Sequence, residues 1–187
     1  MRSYRLFATV VAFTTLAASP ARADGFISPF YGYNFGGDSN CASLKNCEDK
    51  RSNFGVSIGS SHGLFGLEED ISYAKDFFGK TPGTSNSVLT VMSNLMLVVP
   101  AGPIQPYGIF GVGLIRPHAK LDTSSLSLSN NAFGWDIGAG LNIFLGHSFG
   151  IRGDVRRIKT LSDVTLGVFS SDKLEFWRGS AGVTLRF

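Results

Sequence analysis

Cysteine is nearly absent. Among 187 residues only Cys41 and Cys47 carry thiols, and they sit in one polar stretch. Two thiols with no further ligand nearby cannot complete a zinc site. Long apolar runs are missing too. After residue 23 no segment reaches the ~18 apolar residues that a spanning helix needs, so any membrane crossing falls to strands. The three histidines, His62, His118 and His147, show no metal-ligand pairing, and no glycine-rich loop joins a strand to a helix as a phosphate cradle would. Net charge is the last absence. Setting aside Arg2, Arg5 and Arg22 leaves 14 of the 17 basic residues against 14 acidic ones, and no case for nucleic acid survives.

Those three arginines belong to Met1–Ala23, which has the layout of a secretory signal. A basic start precedes the apolar run Leu6–Ala18, and Ala21-Arg22-Ala23 supplies a small-x-small cleavage pattern. The sequence therefore predicts an exported chain, with a signal over 1–23 and one domain over 24–187. In an exported chain the natural reading of Cys41 and Cys47 is a disulfide closing a small loop.

The last stretch, Leu174–Phe187, states the architecture. Trp177, Gly179, Ala181, Val183, Leu185 and Phe187 share one face, and Arg178, Ser180, Gly182, Thr184 and Arg186 the other. A repeat of two is that of a β-strand. An exposed strand edge invites aggregation, whereas a strand that closes a barrel has no edge. Seven earlier segments alternate likewise: Gly25–Phe35, Ser52–Ser60, Leu64–Phe77, Val88–Val99, Tyr107–Arg116, Asn131–Leu145 and Gly150–Leu161. Their connections alternate between long, polar stretches (36–51, 78–87, 117–130, 162–173) and short ones (61–63, 100–106, 146–149). The predicted fold class is all-β, an eight-stranded antiparallel up-and-down transmembrane β-barrel. Short turns and both termini would face the periplasm.

A soluble sandwich or lipocalin-like barrel also alternates, so the polar face has to decide. It carries Gly, Ser, Thr, Asn, Asp, Glu and Arg but no lysine. Lys45, Lys50, Lys80 and Lys120 fall between the segments, and Lys75, Lys159 and Lys173 at their ends. A solvated face would use lysine freely, whereas a narrow interior suits small residues and the close carboxylate pairing of arginine. Aromatics gather at the segment ends, with Phe77, Phe133 and Trp177 expected at the outer rim and Phe65, Phe144 and Phe187 at the periplasmic one.

The segments "LFGLEEDISYAKDFFG", "PAGPIQPYGIFGVGLIRP", "NNAFGWDIGAGLNIFLG" and "GIRGDVRRIKTL" resemble the small outer-membrane β-barrel proteins of Gram-negative bacteria, the OmpA/OmpX-like and opacity-type group. The likeness runs over essentially the whole mature chain. It implies an eight-stranded outer-membrane barrel and says little about activity, since the group includes tethers and adhesins. The terminal run also resembles the signature read by the barrel assembly machinery, which assigns that role to Trp177, Val183, Leu185 and Phe187.

An eight-stranded lumen is just wide enough to be filled by its own side chains. The expected filling is a structural polar network of Glu68, Asp70, Arg116, Asp136, Arg152, Asp154, Arg156 and Arg178, with Arg186 on the same parity. An ion path through it is the rival reading. Two residues break the pattern. Arg157 should reach from the outer rim toward lipopolysaccharide phosphates. Glu69 falls at a lipid-facing position; a β-bulge that shifts it away is favoured over a protonated state or pairing at a protomer contact. His62 and His147 lie in short turns, and His118, near Ser124 and Ser125, has no acid placed to orient it, so no enzyme is expected. No cofactor or metal is expected. The expected partners are outer-membrane lipids with lipopolysaccharide, the barrel assembly machinery and an unknown extracellular ligand met by the loops, with no nucleic acid. A narrow channel is the alternative function, and an outer-leaflet lipid-modifying enzyme the less favoured one.

Overall fold

The computed structural model describes residues 24–37, 52–77, 84–121, 127–129, 131–161, 164–166, 169–171 and 173–187. The expected signal (1–23), both cysteines, and Ser124 and Ser125 lie outside the described residues. The strands are β1 (Asp24–Phe35), β2 (Ser52–His62), β3 (Phe65–Lys75), β4 (Thr84–Val98), β5 (Ile104–Leu121), β6 (Ser127–Ser129), β7 (Ala132–Phe144), β8 (Phe149–Thr160), β9 (Val164–Leu166), β10 (Phe169–Ser171) and β11 (Glu175–Arg186).

Eight of them close into one antiparallel barrel in the order β1-β2-β3-β4-β5-β7-β8-β11, with β11 returning to β1. The closing seam runs from Phe26↔Arg186 to Phe35↔Trp177. Beyond it Gly25 N–H donates to the Phe187 carbonyl at 3.0 Å, and Phe187 N–H to the Gly25 carbonyl at 2.9 Å. Backbone groups that would line two open edges are thereby paired. Three short connections, 63–64, 99–103 and 145–148, share one end of the barrel, the turn end. Gly63 and Gly146 stand there at φ 60 and φ 120, in the left-handed region that a side chain would resist. At the opposite, loop end, β4 and β5 run past their neighbours as a ribbon to Thr84↔Leu121, and β6 adds a third strand at His118↔Ser129. The stretch after Pro117, expected as loop, thus begins as strand. A separate hairpin pairs β9 with β10.

Each barrel strand turns one parity outward. Tyr31, Phe54, Leu67, Leu95, Phe110, Ile137, Val155 and Leu185 are all exposed, one from each. The inward parity is stacked in three layers. At the turn end Phe26, Met96, Val98, Tyr107 and Ile109 form an apolar layer. At the loop end Ala74, Phe77, Val88, Met92, Ile115, Ala132, Ile158, Leu174 and Phe176 form a second. Between them lie buried ions and hydroxyls.

Four expectations change. Arg116 does not enter the lumen. It shares the outward parity of Phe110 and Val112, while fully buried Ile115 takes the inward place beside it, so Arg116 stands exposed near the loop end. Glu69 is not displaced by a bulge, because the registers Ile58↔Glu69 and Glu69↔Ser93 run unbroken on both sides of β3. Its side chain stays on the outward parity. Phe77 is not a rim residue: it turns inward and packs edge-on against Phe176, with ring centroids 4.7 Å apart. Phe144 is inward too and nearly buried, beneath the Arg186 guanidinium. The outer face at the two ends is instead marked by Phe35, Phe133 and Trp177, and by Phe65, Phe149 and Phe187.

Candidate functional site

The lumen is the chemically distinctive place. Strands from facing walls of the barrel bring seven ionic side chains together: Glu68 and Asp70 from β3 on one side, and Asp136 from β7, Arg152, Asp154 and Arg156 from β8 and Arg178 from β11 on the other. Alternation explains the triplet on β8, since residues two apart share a face.

Arg156 is the hub. Its Nη2 lies 2.9 Å from Glu68 Oε1 and its Nε 3.1 Å from Asp154 Oδ1. Its Nη1 lies 3.4 Å from Asp70 Oδ2 and 3.7 Å from Asp136 Oδ2. One guanidinium therefore faces all four acids, a task its planar fork of donors suits and a lysine ammonium could not match. The other two arginines complete the set. Arg152 Nη1 meets Glu68 Oε2 at 2.6 Å. Arg178 grips Asp70 with two parallel bonds, Nη1 to Oδ1 at 2.9 Å and Nη2 to Oδ2 at 3.0 Å. Removing ions from water is costly, and the close pairing of opposite charges offsets that cost.

Neutral side chains take some of the remaining positions, whereas the Asp136 carboxylate oxygens and Arg178 Nε have no hydrogen-bond partner among the described residues. Ser57 donates to Asp70 at 2.9 Å, Ser180 to Asp154 at 2.8 Å, and Asn94 to Glu68 at 3.3 Å. Tyr107 donates its hydroxyl to Asp154 Oδ2 at 2.9 Å and accepts from Arg152 Nε at 2.6 Å. Tyr107 escapes sequence reading because β5 alternates apolar residues with glycine on both parities. A signal for it exists across the strand pair. Tyr107 stands directly opposite Gly140, where a Cβ would strike its ring. Phe26↔Gly59 and Phe30↔Gly55 repeat the arrangement.

The rings in turn carry the arginines. The Arg152 guanidinium carbon lies 4.6 Å from the Tyr107 centroid and 5.8 Å from that of Phe26. Arg178 sits 4.8 Å from the Phe30 centroid, and at the turn end Arg186 lies 3.7 Å from that of Phe144. Arg186 is thus apart from the central cluster, and donates to Gln105 at 3.1 Å.

On the outer face near the loop end, Arg157 and Lys159 converge on Glu175, the lysine at 2.7 Å, with Arg157 also over the Trp177 ring. Arg157 therefore has a carboxylate partner within its own barrel. Trp177 stacks on Phe35 across the seam, with Val183, Leu185 and Phe187 following outward along β11. His118 lies on the β4–β5 ribbon, opposite Ser87.

A family model for the outer membrane protein beta-barrel domain matches residues 8–187. Among curated proteins, none matches. Solved structures do. Neisserial surface protein A (NspA) superposes with a TM-score of 0.67 at 14% identity, over 87% of this chain and 97% of that one. Ail, the attachment invasion locus protein of Yersinia pestis, gives 0.58 at 15% identity, over 89% and 100%. Outer membrane protein H (OprH) of P. aeruginosa gives 0.59 at 15% identity, over 88% and 100%. At such identities the likeness is one of fold.

Proposed function

The chain belongs to the outer membrane protein beta-barrel family, and on that premise we propose a non-enzymatic, non-conducting barrel that holds its long connections at the cell surface for contact with molecules outside. The observation that carries this reading is the filled lumen. Arg156 and the four acids around it occupy the middle, and an apolar layer covers them at either end. An ion entering would have to break paired charges and cross two apolar layers, each adding to the barrier. A rigid, filled scaffold suits the display of loops rather than transport.

In this reading Met1–Ala23 exports the chain and is removed, the turn end and both termini face the periplasm, and a Cys41–Cys47 disulfide closes the first long connection. Its partners are outer-membrane lipid and lipopolysaccharide around the barrel, the assembly machinery that reads the end of β11, and an extracellular ligand at the loops. A name among the similar folds points the same way for its own bearer: Ail is an attachment invasion locus protein, also solved with the heparin analogue sucrose octasulfate.

Two measurements test the proposal. Purified barrel in planar bilayers should leave the membrane at baseline current; resolved conductance steps would replace this reading with that of a narrow channel. A strain whose copy has its long connections shortened should keep the barrel in the outer membrane, yet lose adherence to immobilised heparin or epithelial cells relative to wild type. Equal adherence would refute the loop role.

A further inference from the structure

We infer that Glu69 and Ser93 form a self-association site, through which two copies of the barrel meet side by side in the membrane. Glu69 lies on the outward face of β3, four residues from Phe65 and four from Tyr73. With a rise of about 3.3 Å per residue and a strand tilt near 40°, it sits roughly 10 Å from either aromatic along the membrane normal, near the middle of the ~25 Å apolar band. The outward residues around it are aliphatic, Ile58, Leu67, Ile71, Val91 and Leu95 among them, except for Ser93 directly opposite and Ser60 diagonally across. Its hydrogen-bonding partner is the Ser93 hydroxyl, 2.8 Å from both Oε1 and Oε2. A hydroxyl carries one proton and satisfies one of these oxygens at a time.

The second oxygen needs a donor that lipid cannot supply, and an unsatisfied polar group in hydrocarbon costs several kcal/mol. Ionisable residues at such depth characteristically pair with one another or with backbone carbonyls. The membrane limits which group can come. All copies insert in the same direction, so a two-fold axis relating neighbours runs along the membrane normal and sets equal depths face to face. Glu69 of one copy then meets Glu69 of the other. Two facing carboxyl groups that share a proton, each held by its own Ser93, fill the hydrogen-bonding sites left open in the single barrel. The aliphatic side chains around them supply the packing contact. The same polar pair on a basic-free apolar surface would repel or ignore most other membrane neighbours, which makes the contact selective.

The test labels the full mature chain with donor and acceptor dyes, reconstitutes it in phosphatidylcholine vesicles, and reads energy transfer against protein-to-lipid ratio. Wild type should associate with a saturable dependence. Glu69→Leu should weaken association about tenfold, in line with hydrogen bonds between membrane segments worth ~1–2 kcal/mol. Ser93→Ala should weaken it a few fold. Glu69→Gln, whose amide can still pair reciprocally, should retain more than Glu69→Leu. Val155→Leu, on the opposite wall, should leave it unchanged. Each variant is first checked for the compact, unboiled gel band, so a folding failure is not mistaken for lost association. Energy transfer at the random-mixing level for wild type, or wild-type association by Glu69→Leu, would overturn the inference.

Discussion

Replacing Arg156 by methionine keeps much of the side-chain volume and deletes the one charge that faces every acid in the lumen. The geometry sets the scale. Arg156 lies 2.9, 3.1, 3.4 and 3.7 Å from Glu68, Asp154, Asp70 and Asp136. At an effective dielectric near 20, a unit pair about 3 Å apart attracts by roughly 5 kcal/mol. Most of this sum offsets the cost of holding the ions out of water, so the four terms do not add to a net stability. What remains when one partner of a buried pair is removed is about 3–5 kcal/mol. Purified barrel refolded into lipid vesicles and titrated with guanidinium, with the folded fraction read by gel mobility, should show the Arg156→Met midpoint displaced to lower denaturant at a similar slope. A second substitution separates charge from packing. The wild-type cluster holds four acids and three arginines; Arg156→Met leaves four and two, and adding Glu68→Gln restores an excess of one acid. The double variant should therefore lose less than the two single losses combined, with a coupling of about 0.5–3 kcal/mol. A single loss below about 1 kcal/mol, or strict additivity, would refute Arg156 as the hub.

Other substitutions probe the neighbouring elements. Tyr107→Phe leaves the ring on Gly140 but removes the hydroxyl between Asp154 and Arg152, and should cost roughly 1.5–3 kcal/mol in the same titration, as buried hydrogen bonds to charged groups do. Glu175→Gln breaks a partly exposed cluster with Arg157 and Lys159 and should change stability by less than about 1 kcal/mol; a larger loss would mean that the outer pair is not screened as its exposure implies. Phe187→Ser keeps the backbone bonds to Gly25 and deletes an outward ring. If that ring is an assembly signal, the mutant should show less heat-modifiable barrel in outer-membrane fractions, with equal assembly counting against the role.

Strand number, strand order and the outward faces of β3, β7, β8 and β11 were legible in the sequence because their two parities differ sharply in polarity. Where both parities are apolar or glycine, alternation loses its meaning. β5 is the example: Phe110 and Val112 face out, while Tyr107 and Ile109 face in, and nothing in the segment itself ranks one pair over the other. Arg116 was assigned inward on charge alone, although Ile115 holds that place. The same limit hid the apolar layers. Phe77 was expected at the outer rim, since a lumen so narrow was expected to be polar throughout. In fact a polar group there needs a partner within reach, and only the middle level has enough facing acids and arginines to supply one. Glu69 shows the opposite failure: a charge on the apolar face suggested a bulge, and the backbone register proved regular.

The interior also obeys a rule that single-strand patterns cannot show. Glycine in a strand weakens it unless something covers the space left by the missing side chain. Here the space opposite Gly55, Gly59 and Gly140 is taken by the rings of Phe30, Phe26 and Tyr107. A ring laid flat across a neighbouring strand presents its other face to the lumen, and that face attracts a cation. Arg178 and Arg152 occupy those faces, which brings their guanidinium groups level with Asp70, Asp154 and Glu68. Each glycine thus acts two contacts away from the charge it helps to place. Gly140→Ala should displace the Tyr107 ring and, through it, Arg152, destabilising the barrel by more than an exposed Gly→Ala change would. If Gly140→Ala were instead as stable as wild type in the guanidinium titration, the ring would not be seated by the glycine, and the arginines would owe their positions to the acids alone.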